Sequence, residues 1–178
     1  MKRLPAAVCA IFLAACATAP AASVAETEHA HGAAVPVEGE ATLALKGAGG
    51  EAQALTEEDL DALPQASLEA TIHGETHVYA GPLLADVVAL AGAPVGEPMH
   101  GGALMQVVIV SARDDYQVAF ALGELDPGLS PERVLLATSM DGAPLPDADG
   151  PFRIVVENAQ RGARSARMVS GIEVRSLD

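Results

Sequence analysis

Apolar residues in this chain come in short runs, each closed by Gly, Pro or Asp. Ala41-Thr42-Leu43-Ala44-Leu45 alternates with a period of two, which predicts a half-buried strand. Thr56-Glu57-Glu58-Asp59 opens a short helix. The Thr56 hydroxyl can cap it, Asp59 can answer as the third residue of a capping box, and Pro64 ends it. Ser67–Ile72 and Thr76–Tyr79 read as a hairpin across Gly74. Pro82 starts the clearest helix, Leu83 to Leu90, with Gly92 as its stop and Pro94 beyond. Within Ala103–Ser111, Val107-Val108-Ile109-Val110 is a continuous apolar run, the pattern of a strand buried on both faces. Asp114-Asp115 predicts a turn, and Tyr116–Phe120 the returning strand. Val134–Ala137, Phe152–Val156 and Ile172–Val174 complete the strands, and Asp141-Gly142 predicts a tight turn. The sum is some eight short strands and two short helices with no internal repeat, an α+β fold in which β dominates.

The amino terminus follows a different pattern. Met1-Lys2-Arg3 precedes an apolar stretch from Leu4 to Ala15, broken only by Pro5, and small residues follow. These are the marks of a secretory signal over residues 1–25, and the stretch is shorter than the roughly 20 apolar residues a membrane span needs. Leu13-Ala14-Ala15-Cys16 fits a bacterial lipobox, which would make Cys16 the lipidated first residue. Ser23-Val24-Ala25 fits ordinary cleavage instead. Either route predicts an exported, periplasmic protein, lipid-anchored under the first. Residues 17–40, rich in Ala, Pro, Glu, Thr and His, read as a flexible linker ahead of one domain over residues 41–178. His29-Ala30-His31 in that linker offers two imidazoles where a built metal site needs three or four ligands.

Cysteine usage narrows the chemistry. The 2 cysteines, Cys9 and Cys16, both lie in the leader, which leaves no disulfide, zinc–thiolate site or redox pair for the folded part. Lys2 and Arg3 lie there too, so 8 basic residues face 24 acidic ones from Ala17 onward, a net charge of −16. That charge argues against nucleic acid and against anionic lipid surfaces as partners. There is no Trp, and the exported aromatics are Tyr79, Tyr116, Phe120 and Phe152, which leaves little for a sugar-stacking platform. Ser111, Ser139 and Ser165 have no sequence context that sets a base beside them, and no G-x-x-x-x-G-K phosphate loop occurs.

Five of the 8 exported basic residues fall in the last 26 positions: Arg153, Arg161, Arg164, Arg167 and Arg175. Guanidinium groups present planar, bidentate donors suited to phosphate or carboxylate. The same groups can instead pair with neighbouring Asp and Glu at the surface, where such pairs contribute little. Arg153 alternates with Phe152 and Ile154, which places it on the opposite face of its strand.

The order of pieces resembles a known family. Gly81-Pro82-Leu83-Leu84 opens a helix, and Asp115-Tyr116 lies between two strands. Leu135-Leu136-Ala137 then precedes Asp141-Gly142-Ala143-Pro144-Leu145 and Gly150-Pro151-Phe152-Arg153-Ile154-Val155-Val156. Arg164-Ser165-Ala166-Arg167-Met168-Val169 comes before the last strand. From about Ala41 to Leu177 the chain is similar to the molybdopterin-binding domain of the sulfite-oxidase superfamily, in particular its small exported members. Catalytic members bind molybdenum through a cysteine thiolate ahead of the G-x-x-L helix. The corresponding stretch here, Glu69 to Ala80, offers His73 and His77 but no Cys. A neutral imidazole is no like-for-like replacement for a soft anionic thiolate.

The resemblance implies a pterin groove kept without thiolate-bound metal, and relatives of that kind act with periplasmic sensor partners. The expected ligand-binding residues are Arg153, Arg161, Arg164, Arg167, Tyr116, Asp115 and His73. Tyr116 is either a stacking platform or a strand residue packed on the core, and Asp115 either a ligand acceptor or a turn residue. His73 and His77 either face the vacated metal slot or stand as exposed turn histidines, and His100 reads as loop filler beside Gly101-Gly102. Three functions follow: a non-catalytic module that binds a pterin or other small ligand and signals to a membrane sensor; a molybdopterin-dependent oxidoreductase or its accessory subunit; and an interaction module without ligand.

Overall fold

The computed structural model describes residues 41–177. The expected signal segment, Cys16, the linker and His29-Ala30-His31 lie outside the described residues. In chain order the elements are β1 (Thr42–Lys46), β2 (Ala52–Thr56), α1 (Glu57–Asp61), β3 (Gln65–Ile72), β4 (Glu75–Pro82) and α2 (Leu84–Ala89). Then come β5 (Gln106–Ala112), β6 (Gln117–Ala121), β7 (Val134–Ala137), β8 (Ser139–Met140), β9 (Ala143–Pro144), β10 (Arg153–Val156) and β11 (Val169–Ser176). Short 3₁₀ turns occupy Gly101–Met105, Leu122–Leu125 and Gly162–Arg164.

The strands form three groups. A mixed five-stranded sheet runs β2-β1-β11-β5-β6, with β1 and β11 parallel and the other neighbours antiparallel. A four-stranded antiparallel sheet runs β3-β4-β8-β9, and β7 pairs with β10 in a two-stranded ribbon. That ribbon is the hub, since all eight of its residues are buried. Val134, Leu136, Ile154 and Val156 join a first core with Leu43, Val108, Phe120, Ile172 and the apolar face of α2. Leu135, Ala137 and Val155 join a second core with Leu68, Ile72 and Tyr79 of the β3–β4 hairpin. The period-two geometry of a strand makes this division: successive side chains feed opposite cores.

Local chemistry explains most element ends. The Thr56 hydroxyl accepts from Asp59 N at 3.2 Å and Asp59 Oδ2 accepts from Thr56 N at 2.8 Å, a complete capping box that holds the Asp59 carboxyl below its usual range. His73 (φ 54°) and Gly74 (φ 88°) make the two-residue turn of the β3–β4 hairpin, and Asp141 (φ 52°) with Gly142 (φ 78°) makes that of β8–β9.

Three expectations change. Val107–Val110 is not buried on both faces: Val108 and Val110 are fully buried, while Val107 and Ile109 are partly open, because the outer face of the five-stranded sheet meets water. The doubly buried strands are β7 and β10. Eight strands become eleven, since β2, β8 and β9 are short, small-residue segments without a clear period. Pro82 closes β4 instead of opening the helix, which begins at Leu84.

Where β4 crosses β7, Thr138 N donates to Ala80 O at 2.9 Å and Leu83 bridges Leu135. A Cβ on Gly81 would strike the Leu136 carbonyl oxygen and Ala137 Cα, which are backbone atoms and cannot swing aside. Gly81→Ala is therefore expected to cost about 2–3 kcal/mol through overpacking. Gly142→Ala, at φ 78° with open space around it, should cost only about 1 kcal/mol of backbone strain. Urea unfolding of the two variants checks the order, and equal midpoints would mean that the crossing is not close-packed.

Candidate functional site

An open groove of about 1060 Å³ lies between the hairpin and the carboxy-terminal loops. One wall is the tip of the β3–β4 hairpin with His73, Glu75 and His77, and another is the β5–β6 turn with Asp114 and Tyr116. Arg153 at the head of β10, with Tyr79 and Asp149, also lines it. The loop from Gln160 to Arg167, which links β10 to β11, supplies Arg161, Ser165 and Arg167.

Arg153 is the unusual residue. It is 6% exposed, placed by strand alternation on the face of Val155, where the second core would receive an apolar side chain. A buried guanidinium needs partners. Asp149 Oδ2 lies 2.7 Å from Arg153 Nη1, and the Tyr79 ring faces the guanidinium at 5.6 Å. Burial pushes the Tyr79 hydroxyl above its ordinary range, an effect the Arg153 charge partly offsets. Arg153 Nε nevertheless has no hydrogen-bond partner, and neither has the buried Ser165 Oγ. A buried polar group left unpaired costs about 1–3 kcal/mol, so two of them on residues lining one groove mark donors held ready for something else.

His77 occupies the hairpin wall. Its Nδ1 lies 2.7 Å from Asp141 Oδ2, and Asp141 Oδ1 accepts from Val78 N at 2.9 Å, which ties the β8–β9 turn to β4. The ring meets Tyr79 edge-on with centroids 6.2 Å apart. The hydrogen bond to Asp141, more than the nearby Glu75 charge, raises the imidazole above its ordinary value despite partial burial. Asp141 is lowered in turn, first by the Val78 amide and then by His77.

The structure gathers Arg153, Arg161, Arg167, Tyr116 and His73 from among the expected site residues. Arg164 and Asp115 stand elsewhere. The Arg164 guanidinium reaches Glu124 at 2.8 Å and lies 4.6 Å from the centroid of the Phe120 ring, where a buried aromatic face and a carboxylate compete successfully for it. Asp115 takes φ 64° in the β5–β6 turn and points its chemistry to turn geometry, while its neighbour Asp114 lines the groove and accepts from Tyr116 N at 3.2 Å. Arg175 is drawn to Glu173, whose carboxyl it and Lys46 hold down to about 2. Tyr116 is 44% exposed and donates its hydroxyl to Ala163 O at 2.6 Å, so its oxygen is committed while its ring stays open.

Sequence reasoning missed Tyr79, Asp149, Ser165 and the Asp141 partner of His77. Asp149 stands four residues before Arg153, a spacing that signals nothing across a loop. The groove is also less cationic than the run of arginines suggests: Arg153, Arg161 and Arg167 face Glu75, Asp114 and Asp149 across it. Arg161 and Arg167 form no ion pair among the described residues, so the free positive charge sits on the loop side.

The fold and groove define a molybdopterin-binding domain of the sulfite-oxidase type. The sequence matches the family model described as oxidoreductase molybdopterin binding domain over residues 31–178, and the chain belongs to that family. Among solved structures it is similar to the sulfane dehydrogenase SoxCD from Paracoccus pantotrophus, with a TM-score of 0.61 and 17% identity. The match covers 80% of this chain and 40% of that one, so this chain spans about two fifths of the neighbour's length. No curated protein matches the sequence.

The cofactor that the family implies has two halves, and the residues present suit only one. The orphaned Arg153 and Ser165 donors with the free Arg161 and Arg167 suit an anionic, hydrogen-bonding organic group. The metal half finds no thiolate: no cysteine stands among residues 41–177, and the hairpin offers only the imidazoles of His73 and His77, which are no like-for-like replacement. No group of three or more His, Cys, Asp or Glu among the described residues could hold a metal ion.

The His77–Asp141 pair carries a pH prediction. A raised imidazole contributes stability that is complete below its unfolded value of 6.5 and is lost as pH rises through the higher folded value. The lowered Asp141 contributes stability present above its unfolded 3.8 and lost as pH falls through the lower folded value. The melting-temperature gap between wild type and His77→Gln should be widest near about pH 5.5 and close by about pH 9. A gap that is flat across that range would exclude the charged pair.

Proposed function

We propose that this domain is an exported, non-catalytic binding module that holds a pterin or a similar small anionic ligand without thiolate-bound metal. The observation that carries the reading is the presence of two buried, unpartnered polar atoms, Arg153 Nε and Ser165 Oγ, on residues that line one groove. Arg161 and Arg167 would hold an anionic group, and the open Tyr116 ring offers a flat face to a heteroaromatic one. When bound, the group supplies a planar donor–acceptor edge that completes the groove. The chain's residues bind and orient it; none of them is set to move a proton or an electron pair.

Export rests on the Met1-Lys2-Arg3 leader, and a lipid anchor on Cys16 in its lipobox-like context. A membrane sensor is the natural partner for such a module, because a small-ligand signal held outside the cytoplasm needs a spanning protein to carry it inward. A second reading, an oxidoreductase or its accessory subunit, draws on the family's description. It requires metal held without a thiol.

The purified native protein decides between them. The binding reading expects near-ultraviolet absorbance and fluorescence from a retained pterin, with molybdenum far below stoichiometric. Stoichiometric molybdenum with turnover would overturn it. In titrations with pterin-6-carboxylate, whose carboxylate supplies the anionic group, Arg161→Ala and Arg167→Ala should each weaken binding by about tenfold, the loss of one charge-assisted contact. Unchanged affinity in both variants would remove the loop arginines from the site.

A further inference from the structure

The loop that carries Arg161, Ser165 and Arg167 has no regular structure beyond the 3₁₀ turn at Gly162–Arg164. A loop of this kind fixes its side chains only if something outside fixes the loop. Ala166 O accepts from Ile154 N of β10 at 2.7 Å and holds the loop's far end, and three further contacts hold the rest. Tyr116 donates its hydroxyl to Ala163 O at 2.6 Å. Gly162 lies against the β3–β4 hairpin so closely that a Cβ there would come within 3.1 Å of Ile72 Cγ2. Arg164 lays its guanidinium on Phe120, a fully buried member of the first core, and pairs with Glu124.

Glu124 is itself held. Its Oε1 accepts from Ala121 N at 3.1 Å at the start of the Leu122–Leu125 turn, so the carboxylate that receives Arg164 is anchored to β6. The contact therefore links the loop to the rigid five-stranded sheet. Arg161 has no such anchor among the described residues, whereas Arg167 stands between Ala166 and Met168, whose backbones bond Ile154 and Asp149.

We propose that Arg164 is a positioning residue: by lying on Phe120 and pairing with Glu124 it pins residues 160–165 of the loop as a strap, which sets where Arg161 and Ser165 stand along the groove. Its consequence for ligand binding rests on the reading given above; the pinning itself does not. Arg164 acts through its neighbours and touches no ligand. This explains why an arginine in the middle of a ligand-facing run is turned away from the groove.

Arg164→Ala, Arg164→Lys and Glu124→Gln, made in the whole chain, test it by two independent readouts. The first is opening of the strap, followed by trypsin cleavage after Arg161 and by amide exchange over residues 160–165. Removing a cation–π contact and a charge pair together should speed opening about tenfold in Arg164→Ala. Arg164→Lys keeps the charge pair without the planar stack and should recover part of the protection. Glu124→Gln keeps the acceptor for Ala121 and should lie between the two; it also serves if Arg164→Ala folds poorly. The second readout is affinity for pterin-6-carboxylate, expected to fall in step with strap opening. Unchanged cleavage and exchange in Arg164→Ala would overturn the proposal. So would weakened binding with an unopened strap, which would make Arg164 a direct ligand contact. A wild-type protein that ignores pterin-6-carboxylate would count against the pterin reading, while cleavage and exchange would still decide the strap.

Discussion

The molecule depends on one constraint: the β7–β10 ribbon has no face toward water. Leu136 and Ile154 fill one core while Leu135 and Val155 fill the other, so the two larger sheets are held together through eight residues of backbone. Apolar burial at this scale is the main favourable term in folding. Its location explains the rest. The β3–β4 hairpin can approach the five-stranded sheet only across the ribbon, and Gly81 is needed because β4 passes over the Leu136 carbonyl without room for a side chain.

The groove is a by-product of that arrangement put to use. It opens where the ribbon ends, between the hairpin tip and the β5–β6 turn, and Arg153 is the ribbon residue that emerges there. Holding a guanidinium at that depth requires Asp149 and the Tyr79 face, and even so one of its nitrogens stays unpaired. Stability alone would replace such a residue with an apolar one, since buried ion pairs seldom outperform packed side chains. The proposed ligand accounts for its presence, together with that of Ser165.

Charge works at two scales here. Overall the protein is strongly acidic, with a formal net charge of −14 for the whole chain, which keeps anionic surfaces away. Inside the groove three arginines meet three carboxylates, and His77 adds positive charge as pH falls. The unpaired arginines belong to a loop that β10 holds only at Ala166, so the geometry of the cationic wall also depends on the loop's contacts with Tyr116, the hairpin and Phe120.

Much of this was legible in the sequence. The Thr56–Asp59 capping box, the His73-Gly74 and Asp141-Gly142 turns and the run Val134–Ala137 are set by neighbours a few residues apart, and local patterns read them correctly. The absence of a thiol from the folded part is likewise a matter of composition alone. Which apolar run lies inside was not legible. Val107–Val110 and Val134–Ala137 look alike as strings, but only the second is covered on both sides, because coverage depends on what stacks above and below a strand. The candidate site divides the same way. The sequence supplied five carboxy-terminal arginines, four of them expected at the site and Arg175 left out, and tertiary structure sorted them: Arg153 into a buried pocket, Arg161 and Arg167 to the groove, Arg164 to Phe120, Arg175 to Glu173. A guanidinium goes to whichever carboxylate or aromatic face lies within reach, and those partners come from strands distant in the chain.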